Sequence, residues 1–128
     1  MRSHLLRKGL FLMLTGMVTL VMGASSSYLS MVQLITTPQK YDQQRVRVVG
    51  FLHVGFESSA LYLSESDGKH SVTKNALWID SAEVDVYRGM HKKYVLLEGV
   101  FDAAHHGHLQ LYSGRLHVER IIPWGDHQ

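Results

Sequence analysis

The chain has 128 residues, with 13 basic and 11 acidic side chains, 45% hydrophobic residues and no cysteine. That is apolar material for one domain with one core. It excludes a disulfide framework and a cysteine-borne lipid anchor. The basic surplus sits at one end: Arg2, Arg7 and Lys8 precede Ser25 with no acidic residue, leaving 13 − 3 = 10 basic against 11 acidic, a net of −1. A domain built to bind nucleic acid usually carries a basic surplus of its own.

After the basic start, Gly9 to Gly23 is uncharged and mostly apolar, and Gly23-Ala24-Ser25-Ser26-Ser27 is small. This pattern predicts a signal peptide over residues 1–24 and a single domain over 25–128. The run is short for a spanning helix, which usually needs ~20 apolar residues. Met22 and Ala24 make an imperfect cleavage motif, so an uncleaved N-terminal membrane anchor is the alternative. The expected location is periplasmic or secreted, or at the inner membrane if the segment is kept.

Ser30 and Gln33 have capping-box spacing, and Met31, Leu34 and Ile35 share a helical face, so a short helix is expected before Pro38. Thr37, preceding that proline, is pushed away from helical angles. A turn over Tyr41-Asp42-Gln43-Gln44 then leads into a long strand, Arg45 to Val54. Val46, Val48, Leu52 and Val54 share one parity; Arg45, Arg47 and His53 share the other. Gly50 falls mid-strand on the inner parity, where a bend would let the strand serve two sheets or close a barrel.

Ala60 to Leu63 reads as the second strand, with Leu61 and Leu63 inward, and a polar loop runs from Ser64 to Asn75. Ala76 to Asp80 is the third strand, with Leu77 and Ile79 inward. Asp80 with Glu83 is a second capping signal, predicting a short helix that stops at Gly89. Tyr94 to Phe101 is the fourth strand, again interrupted by a glycine, Gly99. His108 to Tyr112 and Arg115 to Ile122 are expected to form the last strand or strands, closed by Pro123, with Trp124 folding back on the core.

Three strands, a short helix and two more strands is the order of an OB-fold. The predicted class is therefore all-β and mainly antiparallel: a five-stranded OB-fold-like barrel with a short N-terminal helix and a short helix between strands three and four. The sequence also resembles a group of small exported bacterial proteins with OB-like domains. The matching stretches are Tyr41-Asp42, Val46-Arg47-Val48-Val49-Gly50-Phe51 and Lys74-Asn75-Ala76-Leu77-Trp78. Tyr94-Val95, Glu98-Gly99-Val100-Phe101, Gly107-His108 and Ser113-Gly114 continue them, so the likeness covers roughly Leu29 to Trp124. It implies export and a barrel, and it carries no activity. Gln43-Gln44 departs from the pattern, since a glycine is expected in that turn.

If the leucines of strands two and three point inward, Tyr62 and Trp78 point outward on the face where OB-folds bind ligands. Aromatic groups there stack on bases or sugars. Tyr62 and Trp78 are thus the expected ligand platform, with Arg45 and Arg47 as adjoining basic groups. A buried structural Trp78 is the competing expectation. The segment His105-His106-Gly107-His108 places His106 and His108 on one face of an extended chain, with Asp102 nearby. These residues are a candidate site for a divalent transition metal, against the plainer reading of a solvated polar turn. No nucleophile elbow or complete phosphate loop is present, and nothing in the sequence places its serines, histidines and aspartates in a triad. The expected role is a non-enzymatic binding module for an envelope protein, peptide or saccharide. The alternatives are an oligonucleotide-binding domain and a metal-binding periplasmic protein.

Overall fold

The computed structural model describes Gly16 and residues 27–125, so the expected signal segment, Gly16 apart, lies outside the described residues. Among the described residues no helix is long and apolar enough to cross a membrane.

The chain begins with α1 (Met31–Thr36), where both hydrogen bonds of the Ser30–Gln33 capping box form. Pro38 ends α1 as expected, yet it also opens a second single turn, α2 (Pro38–Tyr41). Proline suits a first helical position because its missing N–H has no partner there anyway. The following turn places Gln43 at φ 61°, the left-handed conformation that favours glycine.

Strands β1 (Arg45–His53), β2 (Ala60–Tyr62), β3 (Ala76–Ile79), β4 (Lys93–Asp102) and β5 (Arg115–Pro123) close into a barrel in the order β1-β2-β3-β5-β4. All pairs are antiparallel except β3 with β5, so the barrel is mixed and has OB-fold strand order. β1 pairs with β4 over Arg45–Leu52 and with β2 over Phe51–His53. One strand therefore serves both neighbours, with Phe51 and Leu52 paired on both sides just after Gly50. A Cβ at Gly50 would lie 2.6 Å from the Leu61 side chain and 2.8 Å from the Tyr62 carbonyl oxygen. At Gly99 the β4–β5 register shifts, which marks a bulge.

The barrel interior is filled by Val46, Val48, Leu52, Leu61, Leu77, Ile79, Val95, Leu97, Phe101 and Leu116, all buried. Met31 and Leu34 of α1 close one side of this core. Three expectations are corrected. Leu63 is 37% exposed because β2 stops at Tyr62. His108 to Tyr112 is not strand: His108–Gln110 is a 3-10 turn entered through Gly107 at φ 69°. The segment after β3 is one α-helical turn, α3 (Ser81–Val84), followed by a 3-10 stretch, Asp85–Met90, that runs through Gly89. The left-handed residue beyond it is Lys92, not Gly89.

The predicted polar loop between β2 and β3 contains a short helix of its own, Glu65–Lys69, called the flap helix below. The Ser64 side chain caps it, accepting from the Asp67 N–H, and the Tyr94 hydroxyl accepts from the Glu65 N–H at 3.0 Å. The Tyr94 hydroxyl ties this helix to β4, and Gly68 lies against the Phe51 ring of β1.

Candidate functional site

Cross-strand register sets the outer face of β1, β2 and β3. Phe51, Tyr62 and Ala76 form one row, and His53, Ala60 and Trp78 the next. Tyr62 and Trp78 do point away from the barrel interior, but their surroundings differ from an open platform. Tyr62 is only 4% exposed and belongs to a second apolar cluster with Phe51, Ala60, Ala76 and Tyr112. Burial raises the pKa of both Tyr62 and Tyr112, and the neighbouring Tyr112 raises that of Tyr62 further. Two flaps cover this layer. Gly68 of the flap helix sits so close that a Cβ there would meet the Phe51 ring at 2.9 Å. The β4–β5 loop supplies Tyr112 and lays Gly107 on Trp78, where a Cβ would fall 2.4 Å from Trp78 Cβ.

Trp78 is held on several sides. The His105 ring stacks on it with centroids 5.4 Å apart and planes 11° from parallel. The Arg115 guanidinium carbon lies 5.1 Å from the ring centroid, within cation–π range. Arg115 is in turn 3.5 Å from Glu83 and 4.0 Å from Asp80. Glu83 does not reach back to cap α3; it accepts from the Val118 N–H at 3.2 Å and contacts His117 Nδ1 at 3.2 Å. Trp78 Nε1 and Arg115 Nε are buried donors with no hydrogen-bond partner among the described residues.

Between the two flaps and the strand ends lie two depressions. The first is a cleft of about 380 Å³ lined by Glu57, Trp78, Asp80, Ser81, His105, Gly107 and His108. It is formed by the β1–β2 loop, the end of β3 and the β4–β5 loop, which is where OB-folds take ligands. Its lining holds two carboxylates, Glu57 and Asp80, and no lysine or arginine. His108 Nε2 approaches Glu57 to 3.9 Å, so the two loops meet across it. Phe56 and Leu109, next in sequence to that pair, are 89% and 72% exposed. Ser81 Oγ donates to the Gly55 carbonyl and not to a histidine.

The second depression, a hollow of about 360 Å³, is lined by Phe51, His53, Glu65, Gly68, Lys69, Ser71 and Lys92. Non-glycine residues in left-handed conformations gather at the two sites. Glu57, Leu109 and Gln110 border the cleft, Ser71 and Lys92 line the hollow, and only Gln43 lies elsewhere among the described residues. Each such residue costs about 1–2 kcal/mol, and such strain concentrates where function requires a particular geometry.

The other predicted site residues lie apart. Arg45 pairs with Glu119 at 3.0 Å, and Arg47 pairs with Glu98 at 3.0 Å, a carboxylate that also contacts Arg120 at 3.2 Å. Both arginines sit toward the opposite end of β1 from His53, on the part paired with β4. They do not join Trp78. Asp102, His106 and His108 do not converge either. Asp102 Oδ1 accepts from the Ala104 N–H, His106 Nδ1 donates to the Tyr112 carbonyl at 2.7 Å, and His108 turns toward Glu57. Among the described residues no group of three or more His, Cys, Asp or Glu side chains is placed to hold a metal.

Glu57, Asp80, Ser81 and His105 are the cleft residues that the candidate platform omits. Their signal is present in the sequence: Glu57 precedes β2 and Asp80 follows β3, and antiparallel neighbours bring those two ends together.

The fold and cleft define a five-stranded barrel of OB-fold order whose usual ligand face is plugged by its own aromatic layer. Comparison with protein families and with curated proteins finds no match to this chain.

Proposed function

We propose that the chain is an exported OB-like binding module, not an enzyme. In this reading the cleft between the β1–β2 and β4–β5 loops receives a protein or peptide segment bearing a basic side chain. The observation that carries it is the cleft's lining: Glu57 and Asp80 beside Trp78 and His105, with no lysine or arginine. A cation entering there meets the Glu57 carboxylate and the Asp80 carboxylate, the latter shared with Arg115 at 4.0 Å, beside the stacked Trp78–His105 pair. Exposed Phe56 and Leu109 at the two loop tips supply apolar contact for the flanking chain, as the anchors of protein interfaces do. A phosphate backbone would meet repulsion at the same place, which favours peptide over oligonucleotide. Export rests on the predicted segment at residues 1–24.

The test is a titration of the full chain, followed by amide NMR, with four probes: a lysine-containing peptide, an acidic peptide, a neutral oligosaccharide and oligo-dT. The basic peptide should shift the amides of Glu57, Trp78 and His105 to Leu109, and E57Q/D80N should weaken it about tenfold. Shifts at the cleft by oligo-dT or the saccharide alone would overturn the peptide assignment. Absence of any cleft shift would overturn the site.

A further inference from the structure

The hollow on the other side of the aromatic layer has the opposite electrostatic character. Its floor is the buried Phe51 ring, held edge-on against Tyr94 at 5.4 Å between centroids. Lys69, Lys92 and His53 stand around that floor, with Glu65 as the one carboxylate in the lining. Glu65 lies 3.5 Å from Lys69 in an exposed pair, which is weak. Lys92 has no carboxylate within ion-pair distance among the described residues. A neighbouring depression shares Phe51, Glu65 and Lys92 and adds Lys93 and Tyr94, so the basic surplus continues past the rim. Two of the lining residues, Ser71 at φ 51° and Lys92 at φ 60°, hold left-handed backbone angles that a side chain normally avoids. The fold holds Lys92 in that conformation: its N–H donates to the Leu52 carbonyl at 2.8 Å.

The geometry points to a second binding site in this hollow, for a small ligand that carries a phosphate-type anion on a flat apolar body. The anion would lie between Lys69 and Lys92, near the Ser71 hydroxyl, and the apolar body against the small part of the Phe51 ring that Gly68 leaves open to the hollow. Lysine acts there as a point charge for phosphate. A volume of about 360 Å³ suits a small molecule. The anion can belong to a soluble monoester or to a lipid headgroup, since both present the same chemistry.

His53 supplies an internal reporter. Burial, then His91, then Lys92 lower its pKa. Lys69 and Glu65 are the other charged groups lining the hollow with it. A bound anion opposes the two cationic influences and should raise the His53 pKa.

Amide and imidazole NMR of the full chain, with phenyl phosphate and inorganic phosphate as probes, tests the site. Phenyl phosphate should shift Phe51, His53, Gly68, Ser71 and Lys92 saturably, bind more tightly than inorganic phosphate and raise the His53 pKa. K92Q should weaken it about tenfold while leaving Tm unchanged, because this lysine is exposed. Co-sedimentation with phosphatidylglycerol against phosphatidylcholine vesicles separates the sources. A preference for the anionic vesicle that K69Q/K92Q abolishes assigns a lipid headgroup, and phenyl phosphate binding without that preference assigns a soluble ligand. Equal affinity for phenyl phosphate and inorganic phosphate would overturn the apolar floor. Failure of both probes and both vesicles, or binding indifferent to K92Q, would overturn the site.

Discussion

A methyl group on residue 99 would sit 1.9 Å from the His117 carbonyl oxygen, a backbone atom that cannot move without opening the β4–β5 ladder. Gly99→Ala should therefore cost about 3 kcal/mol, read as a lower midpoint in urea with an unchanged slope. The position of this glycine, in the middle of the strand Tyr94 to Phe101, makes a local distortion legible in the sequence. Its cause is not: Gly99 faces a bulge, whereas Gly50 faces the Leu61 side chain and the Tyr62 carbonyl of β2. Gln43 is the converse case. The turn calls for glycine, and the structure keeps the left-handed angle while glutamine occupies it. Asp42 helps hold that turn, its carboxylate accepting from the Ala103 N–H at 2.9 Å. A position's conformational demand is local to the chain, whereas the tertiary contact that enforces it is not.

At the scale of elements, the β4–β5 loop shows where alternation misleads. His108-Leu109-Gln110-Leu111-Tyr112 alternates polar and apolar residues, which reads as a strand. Leu109 and Leu111 are instead exposed, and only Tyr112 is buried. Left-handed angles at Gly107, Leu109 and Gln110 break the pleat, and the loop folds over Trp78. Strands β1, β4 and β5 were legible because their alternate residues fill one interior. The flap helix was not, because a five-residue polar helix has no apolar periodicity of its own. Gly107 ties the loop to the site. Gly107→Ala brings both a strained φ of +69° and a methyl against Trp78, so the loop should lift from the ring. The expected result is about 1–2 kcal/mol of lost stability, less than at Gly99. In a W124F background the Trp78 emission should move to the red, and peptide affinity at the cleft should fall. An unchanged emission maximum would mean that the loop does not cover the indole in solution.

Across the whole molecule, a nearly balanced charge count conceals a division into two sites. Glu57 and Asp80 make the cleft acidic, while Lys69 and Lys92 make the hollow basic. The parity that turned Tyr62 and Trp78 outward was readable; the flaps that bury Tyr62 and divide the face in two depend on contacts distant in sequence. The same arrangement sets how the protein responds to acid, in two stages. His91 Nδ1 accepts the Val54 N–H at 2.9 Å, so protonating that nitrogen removes the acceptor. Burial, then Lys92, then Arg88 lower the His91 pKa, and His53 is lowered chiefly by burial. With folded pKa values below the ordinary 6.5, the unfolded chain binds these protons first. Stability should therefore decline as pH falls below about 6.5 and level off once both folded rings are charged. Glu98 acts in a lower window. The hydrogen bond from Arg120 first, with the charges of Arg120 and Arg47, holds its pKa below 4.5 despite opposing desolvation. Its contribution is present above 4.5 and disappears as pH drops through the folded value. Urea denaturation from pH 7.5 to 3 should show both declines. H53Q/H91Q should flatten the first alone and E98Q the second alone. A single decline, abolished by E98Q, would mean that the histidine pair titrates alike in the folded and unfolded chain, and the Val54–His91 hydrogen bond would then have no part in stability.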